Sequence, residues 1–489
     1  MKKLYRFSAI ALLVLPLVFT SCSDYLDRDD DDNITEADVF ARYEKVNGLV
    51  SDVYAAAKKA DRPLVFFEHF SNSAITDECE GTNVEGNITN NFNNGAWNPN
   101  SLPGSVGQYW EALYEGIRKA NLIIENVQKY NTPDNPQQDG DLRNRIGEMY
   151  FMRGYFHMLL LRMYGEAPYI DRVINAGDNM DFKKESVHSM VEKIVTDAQT
   201  AYGMVPNKYV KTSENFGRVD KGACLGLISF VRWVAATPLW NGASQYGYNL
   251  RRVFENEYAY DATRWRKAKE AAKAVLDFEV GGTKRYSLYT KHGANDFKDP
   301  ADGNLNDSRV YARLWDMFYD MDAFANEYVF FMTKSKDQAW QGDIYPPSRE
   351  GSSRQQPVQE QVDEYEYIVG DYGYPVYSAE ARKGGYDDTN PYVKGTRDPR
   401  FYRDVIYHGA PYRNNKNESK TINTASGSDK IGATNATTTG YYLRKFQQES
   451  WNKSGNFSIN APAIWRLPEF IYIYAEACNE LGEDIDEAY

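Results

Sequence analysis

The sequence predicts a mostly α-helical protein in which paired helices stack into a scaffold and a loop-rich half follows them. Two observations lead to this fold class. Apolar residues recur at the three- and four-residue spacing of amphipathic helices through much of 35–278. Between about residues 295 and 455, by contrast, the chain is rich in Gly, Pro, Asn, Asp and Tyr, with short strand-like pieces at 327–333 and 441–446. Long irregular segments of this kind are usually functional loops.

Seven segments carry the helical pattern together with start or stop signals. The clearest begins at Tyr109, carries Trp110 on its apolar face, and ends at the turn-forming run 131–134. The short connections between several of these segments predict helical hairpins stacked into a solenoid. The predicted helices are 35–59, with Thr35 as N-cap, 109–130, 142–164, 185–202, 219–236, 262–278 and 468–481.

The composition fits a folded protein and excludes one class of partner. Of the 489 residues, 42% are hydrophobic and 26% are charged, which is enough apolar material for a large core. Lys and Arg number 56 against 69 Asp and Glu, so the net charge is −13. Because a nucleic-acid-binding protein needs a basic face, we expect no nucleic-acid partner. The 38 Tyr residues, together with Trp residues in loops, suggest a surface that stacks on a ligand.

The N-terminus is predicted to be an export signal followed by a lipid anchor. Three cations precede an apolar stretch at 7–19 that is too short to span a bilayer. The stretch leads into Thr-Ser before Cys22, which resembles a bacterial lipoprotein box. We therefore expect residues 1–21 to be a lipoprotein signal peptide and Cys22 to be lipidated. Such an anchor ties a protein to a membrane without crossing it.

Residues 22–34 are predicted to be a solvated acidic tether. Asp27, Asp29 and Asp31 could instead begin a calcium loop, which is the alternative interpretation. However, Asp32 stands where the sharp turn of such a loop needs Gly. We therefore favour the tether and expect no metal ion and no cofactor.

The three remaining cysteines do not indicate a disulfide framework or a zinc site. Cys79, Cys224 and Cys478 are odd in number, and none has a second Cys at CxxC spacing. Cys224 and Cys478 lie in apolar helical stretches, so we expect them to be small buried residues. His157, on a predicted helix, is likewise expected to be a packed residue rather than a catalytic base.

Several short sequence blocks stand in an order that is typical of one protein family. The blocks are YWEALYEGIRKAN at 109–121, EMYFMRGYFHML at 148–159, YGEAP at 164–168, IYPPS at 344–348, PVQEQVD at 357–363, RDPR at 397–400, RLPE at 466–469 and YAEA at 474–477. Together with the acid-rich segment after a lipoprotein Cys, they resemble the SusD/RagB family of Bacteroidetes surface lipoproteins. The resemblance divides the chain into an N-terminal helical part, 35–240, and a C-terminal part, 241–489. Because family members normally continue into another helix and an Arg-rich segment, it also implies that the C-terminal part is incomplete.

The resemblance implies both a fold and a function. The fold is a scaffold of four tetratricopeptide-like helical hairpins with a loop-rich ligand-binding half laid over it. The function is that of a surface-exposed outer-membrane lipoprotein that captures oligosaccharide and hands it to a SusC-like TonB-dependent transporter, without catalysis. Some relatives handle peptides, so a peptide-binding protein is one alternative. A glycoside hydrolase is the other, although no sequence motif singles out the pair of carboxylates it would need.

A sugar site needs exposed aromatic rings beside planar hydrogen-bonding groups, and this requirement selects the candidate residues. Trp110, Trp233 and Trp265 lie on apolar helical stripes and are expected in the core. Trp97 instead lies in a polar, turn-rich loop, where the family places a binding aromatic; the alternative role of this ring is to anchor its own loop. The predicted ligand-binding residues are Trp97, Asn98, Asn100, Trp340, Gln341 and Tyr345, with Phe92 and Tyr372 as further candidates.

Overall fold

A computed structural model describes most of the two predicted parts of the chain. The described residues are 34–60, 70–82, 88–98, 100, 104–130, 136–209, 214–242, 254–290, 317–318, 321–332, 342–393, 395–413, 419–446 and 463–488. The predictions for the signal peptide, for Cys22, for most of the acidic tether, and for Trp340 and Gln341 therefore fall outside the described residues.

The described chain is mostly helical, as the sequence predicts. The helices are α1 Glu36–Phe40, α2 Tyr43–Ala60, α3 Ile88–Asn93, α4 Gly104–Tyr130, α5 Pro136–Tyr164, α6 Val187–Tyr202, α7 Lys221–Ala236, α8 Ala262–Leu276, α9 Met321–Asn326, α10 Gln359–Asp363, α11 Ala379–Lys383, α12 Pro399–Asp404, α13 Leu467–Leu481 and α14 Ile485–Ala488. All seven predicted helices are confirmed in type, with ends that differ by a few residues.

The first predicted helix differs most, because the structure divides 35–59 into α1 and α2. Its predicted start is confirmed: the Thr35 hydroxyl oxygen accepts the Asp38 N–H at 3.2 Å, and the Asp38 carboxylate accepts the Thr35 N–H at 3.0 Å. The break falls at Ala41 and Arg42, where neither Gly nor Pro interrupts the helical pattern. Sequence pattern therefore gave no signal for it.

The long helices pack one against the next along the chain. Contacts join α2 to α4, α4 to α5, and so on through α8, and α13 then packs against α8. The helices α4 and α5 pack closely at Gly116 of α4, where an added Cβ would lie 2.5 Å from the Phe156 ring of α5. The main core lies between these helices and includes residues of β5 and β13. The tetratricopeptide-like detail of the hairpins stays a prediction.

The strands are short and antiparallel. They are β1 Ile75–Thr76, β2 Cys79–Gly81, β3 Glu279–Val280, β4 Thr283–Lys284, β5 Tyr328–Phe331, β6 Gln355–Pro357, β7 Tyr367–Val369, β8 Tyr372–Tyr374, β9 Val405–Ile406, β10 Pro411–Arg413, β11 Ser419–Thr421, β12 Tyr442–Leu443 and β13 Ala463–Arg466. The three-stranded sheet β1-β2-β6 joins the N-terminal part to the loop-rich half, with Cys79 opposite Pro357. Strand β5 pairs with β13, directly before α13.

Several predictions about single residues are confirmed. Trp265 is 2% exposed, and Trp110 and Trp233 are half-buried against the core clusters. Cys224 and Cys478 are fully buried. In the described part of the chain, no helix combines the length and the apolar character needed to cross a membrane.

A buried carboxylate ties distant parts of the helical scaffold together. Glu148 of α5, within one of the family blocks, is fully buried. It accepts hydrogen bonds from two guanidinium groups and two tyrosine hydroxyls. The donors are Arg145 at 2.5 Å, Arg218 at 2.8 Å, Tyr54 at 3.0 Å and Tyr209 at 2.6 Å. Because a buried charge is stable only when paired and hydrogen-bonded, this network fixes the packing of α2 on α5.

Candidate functional site

The loop after α3 holds the Trp97 ring in a half-buried position. The ring meets Phe92 edge to face, with ring centroids 4.8 Å apart and planes at 88°. It also packs against a small cluster formed by Phe70 and Ala74, and Ile88 packs there too. Both roles considered for Trp97 are therefore compatible with its position, because part of the ring anchors the loop and part stays accessible.

Two asparagine side chains lie beside Trp97 on the surface. Asn98 and Asn100 are both exposed. The Asn98 side-chain oxygen accepts the Asn100 N–H at 3.0 Å, which closes a local turn. This bond uses only the oxygen of Asn98, so its NH2 group and the Asn100 amide face solvent and can meet the hydroxyls of a ligand.

A polar cleft of about 400 Å³ is lined in part by the segment that supports Trp97. Residues 70–74 pack under Trp97 through Phe70 and Ala74, and they line the cleft through Ser71 and Ser73. Glu78 and Cys79 line it as well, and the other walls come mainly from the loop-rich half. Their side chains include Gln355, Gln361, Tyr365, Arg400, Arg403, Asp404, Lys445 and Phe446.

The two walls of the cleft are held together by Gln355 and Ser71. The Gln355 side-chain oxygen accepts the Ser71 N–H at 2.8 Å, and its NH2 group donates to the Ser71 hydroxyl oxygen at 2.7 Å. Both residues are buried, so these bonds are shielded from water. They fix the segment under Trp97 to β6 and so fix the cleft relative to the Trp97 loop.

The charges in the cleft are arranged around Asp404 of α12. Its carboxylate pairs with Arg403, whose Nη2 lies 2.6 Å away, and it accepts the Tyr365 hydroxyl at 3.0 Å. Lys445 lines the same cleft, with its Nζ 5.3 Å from the centroid of the Phe446 ring. Burial lowers the pKa of the Lys445 ammonium below its usual value.

The other predicted site residues in the described part of the chain differ in their exposure. Tyr345 is 2% exposed and packs with Phe401 and Tyr442 in the core of the loop-rich half, so its ring presents no face to solvent. We leave it out of the proposed binding surface. Tyr372, the first residue of β8, is 70% exposed, and Phe92 is 39% exposed.

Sequence reasoning did not select the polar residues of the cleft. Gln361 and Arg400 fall inside the blocks at 357–363 and 397–400, so the blocks themselves were the available signal. Lys445 lies in the strand-like piece at 441–446, where nothing distinguishes it from a surface lysine.

A second cavity, of about 460 Å³, lies between α7 and α13. The Glu476 carboxylate accepts the Trp233 indole N–H there at 2.7 Å. Burial raises the pKa of the Glu469 carboxyl to about 7, although Arg162 and Arg466 oppose the shift. None of the residues that line this cavity belongs to the segment 70–74 that packs against Trp97, so we take the cleft lined by that segment as the candidate binding site.

The described residues contain no group of three or more His, Cys, Asp or Glu side chains that could hold a metal ion. His157 is fully buried, and burial lowers its pKa to about 3. Its Nε2 accepts the Ile170 N–H at 3.0 Å, and its Nδ1 lies 2.8 Å from the Arg153 carbonyl oxygen. These contacts confirm the prediction that His157 is a packed helical residue.

Two family models match the chain in succession. A model described as starch-binding associating with outer membrane matches residues 24–231, and a SusD family model matches residues 314–489. A SusD-like protein P2 of Formosa agariphila is 24% identical over 202 residues, which are 40% of this chain. The match spans only 38% of the length of that relative.

Solved structures share the fold over almost the whole chain. A SusD-like protein from Bacteroides fragilis aligns with a TM-score of 0.68 at 18% identity, covering 92% of this chain and 77% of its own. A laminarin-binding SusD-like protein aligns with a TM-score of 0.50 at 16% identity, covering 89% of this chain and 80% of its own. At such identities the likeness shows a common fold.

Proposed function

The chain belongs to the SusD/RagB family, and from this premise we propose that it is a surface lipoprotein that captures oligosaccharide. The captured glycan passes to a SusC-like TonB-dependent transporter in the outer membrane. Cys22, through its lipid, holds the protein at that membrane. The predicted division into a signal peptide at 1–21, a tether at 22–34 and two parts at 35–240 and 241–489 belongs to the same proposal.

The observation that carries the proposal is the half-buried Trp97 ring next to a polar cleft. A sugar ring has a flat patch of C–H groups that stacks on an aromatic face, and a rim of hydroxyls that needs donors and acceptors. The Trp97 loop offers the ring with Asn98 and Asn100 beside it, and the cleft adds Gln361. Trp340 and Gln341 are proposed to complete the site. The laminarin-binding relative supports a carbohydrate ligand.

The test is the substitution Trp97→Ala, measured by the retention of the purified protein in gels that contain candidate polysaccharides. We expect the variant to lose retention on the polysaccharide that holds the unsubstituted protein. Because Trp97 also packs on Phe70 and Ala74, we expect the melting temperature of the variant to fall by a few degrees. Substitution of a fully exposed residue would leave the melting temperature nearly unchanged.

Ile88→Ala is the matched control, because Ile88 packs in the same cluster without being an aromatic ring for stacking. It should lower the melting temperature comparably and keep polysaccharide retention. Equal loss of retention in both variants would show that the loop needs only its packing, and the stacking role of Trp97 would be rejected.

The proposed interaction with a transporter is tested by co-purification from detergent extracts of cells that make the lipidated protein. We expect a β-barrel protein of the SusC type to co-purify with it. Cys22→Ala, which removes the site of lipidation, should release the protein from the membrane fraction. Unchanged membrane association of that variant would reject the lipid anchor.

A peptide-binding protein and a glycoside hydrolase are the competing functions. Two carboxylates line the cleft, those of Asp404 and Glu78. Arg403 and Tyr365 already engage the Asp404 carboxylate, which does not favour a role for it as a free acid or base. Incubation with the retained polysaccharide for hours should release no reducing ends. Release of reducing ends would indicate a hydrolase, and binding of peptides but of no polysaccharide would indicate the peptide-binding alternative.

A further inference from the structure

Lys445 is the one cation of the cleft that has no counter-ion among the described residues. Three arginines in or beside the cleft each have a carboxylate of their own. The pairs are Arg400–Asp398 at 2.5 Å, Arg403–Asp404, and Arg466–Glu327 at 2.8 Å. The Lys445 ammonium instead makes no ion pair in the described parts of the chain, and the Phe446 ring is its near neighbour.

The surroundings of Lys445 leave its charge poorly compensated. Burial is the largest influence and disfavours the charged form, and the positive charges of Arg403 and Arg466 add to that effect. The negative charges of Asp404 and Glu78 favour the charged form of Lys445. However, Asp404 is paired with Arg403, and Glu78 is exposed to solvent. An unpaired ammonium in such a place gains more from an incoming anion than an exposed one does, because it has already lost much of its hydration.

The net charge of −13 for the whole chain does not prevent an anion from binding beside Lys445. At physiological ionic strength the Debye length is about 8 Å, so distant exposed carboxylates are largely screened from a ligand in the cleft. The charges that act on such a ligand are those of the cleft lining, which contains three cationic and two anionic side chains. They are Arg400, Arg403, Lys445, Glu78 and Asp404.

We propose, resting on the function proposed above, that the cleft beside Trp97 binds an acidic sugar unit, with the Lys445 ammonium opposite its carboxylate or sulfate group. The Trp97 ring holds the neighbouring sugar of the same chain, and Arg400 at the exposed end of the cleft stabilises the anion further. The ligand class is therefore an anionic glycan, such as a uronate-containing or sulfated oligosaccharide.

The test compares ligands that differ only in charge, by isothermal titration calorimetry on the purified protein. Oligogalacturonate is compared with its methyl ester of the same length, and a sulfated oligosaccharide with its desulfated form. We expect at least tenfold tighter binding of the acidic member in one of the two pairs, and this preference should weaken as salt is raised from 50 to 500 mM. The ligand pair that shows the tenfold preference identifies either carboxylate or sulfate as the group that the protein recognises.

The variants Lys445→Met and Lys445→Arg separate charge from shape. Lys445→Met should remove the preference for the acidic member and leave binding of the neutral member within twofold, whereas Lys445→Arg should keep the preference. Lys430→Met, which removes an exposed lysine that does not line the cleft, is the control and should change nothing.

Three outcomes overturn the proposal, and a fourth overturns the glycan-binding function on which it rests. Equal affinity for the acidic and neutral members of both pairs would reject it and keep the proposed glycan-binding function. A preference for the acidic ligand that persists in Lys445→Met would show that a group other than Lys445 recognises the anion. Absence of binding in both pairs, with polysaccharide retention intact, would reject the acidic ligand; absence of retention as well would reject the glycan-binding function itself.

Discussion

Arg153 and Asp197 face each other between α5 and α6 and form a two-bond ion pair. Arg153 Nε lies 2.8 Å from Asp197 Oδ2, and its Nη2 lies 2.5 Å from Oδ1. Both residues are buried. The remaining guanidinium nitrogen donates to Asn121 of α4 at 2.9 Å, and the Tyr169 hydroxyl donates to Asp197 at 2.6 Å. Arg153 and Asn121 come from two different family blocks, so the blocks meet in space at this ion pair.

Removing Asp197 should destabilise the protein strongly. Asp197→Ala leaves the Arg153 guanidinium buried without its carboxylate, so we expect the free energy of unfolding to fall by about 3–5 kcal/mol. The measurement is denaturant unfolding followed by circular dichroism. Glu115→Ala, which breaks the exposed pair with Lys119, is the control and should cost less than about 0.5 kcal/mol. Similar losses in both variants would contradict a special role for the buried pair.

Gly116 should not tolerate a side chain. An alanine methyl group there would lie 2.5 Å from the Phe156 ring, so α4 and α5 would have to separate or the ring would have to turn. We expect Gly116→Ala to lower the free energy of unfolding by about 1–3 kcal/mol. Gly48→Ala is the control on α2, where nothing lies within 4 Å, and should instead raise it by about 0.5–1 kcal/mol. A stabilised Gly116→Ala variant would show that the helices can part at no cost.

Glu469 should make stability depend on pH between about 4.5 and 7. Burial raises the pKa of its carboxyl to about 7 in the folded protein, from 4.5 as the ordinary value. The folded state therefore holds the proton more tightly than the unfolded chain does, so this group lowers the free energy of unfolding as pH rises through that interval. Below pH 4.5 the group is protonated in both states and the effect is absent.

The substitution Glu469→Gln tests that dependence. At pH 8 we expect the variant to be more stable by about 1–2 kcal/mol, which is less than the full shift implies because the carboxyl is partly solvated and lies in the first turn of α13. At pH 4 the difference should vanish. Glu480→Gln, exposed on the same helix, should show no such pH-dependent gain. A gain of equal size at both pH values would assign the effect to packing.

Cys79 should resist thiol reagents while the protein is folded. Its side chain is 6% exposed, and burial raises its pKa to about 12, so roughly one molecule in ten thousand carries the thiolate at pH 8. We expect labelling at this position, followed by peptide mass spectrometry, to be slow in buffer and fast in denaturant. Rapid labelling in buffer would mean that β2 opens readily.

The helical half was predictable because its packing is local and periodic. The pattern around Trp110 and the N-cap at Thr35 gave helices that the structure confirms. The break between α1 and α2 was not predictable, because no residue at 41–42 disfavours a helix. Irregular segments carry no period, so the strand-like piece at 441–446 shortened to Tyr442–Leu443 in the structure.

The candidate site was predictable only where one loop supplies it. Trp97 stands out from its loop sequence, and the segment 70–74 that packs against it also lines a cleft. The cleft itself is assembled from Ser71, Gln361, Arg400 and Lys445, which are far apart in the chain. Such a set has no spacing to recognise, and the lack of a counter-ion for Lys445 among the described residues is a property of three-dimensional packing alone.

The bond between Ser71 and Gln355 spans 284 positions in the chain. The support of the Trp97 loop consequently requires a strand that the ribosome makes long after the loop itself. Joining such remote segments is entropically costly and slow. The helices α2 to α8 can pack while the chain is still emerging, whereas the support of the Trp97 loop can form only after β6 has been made.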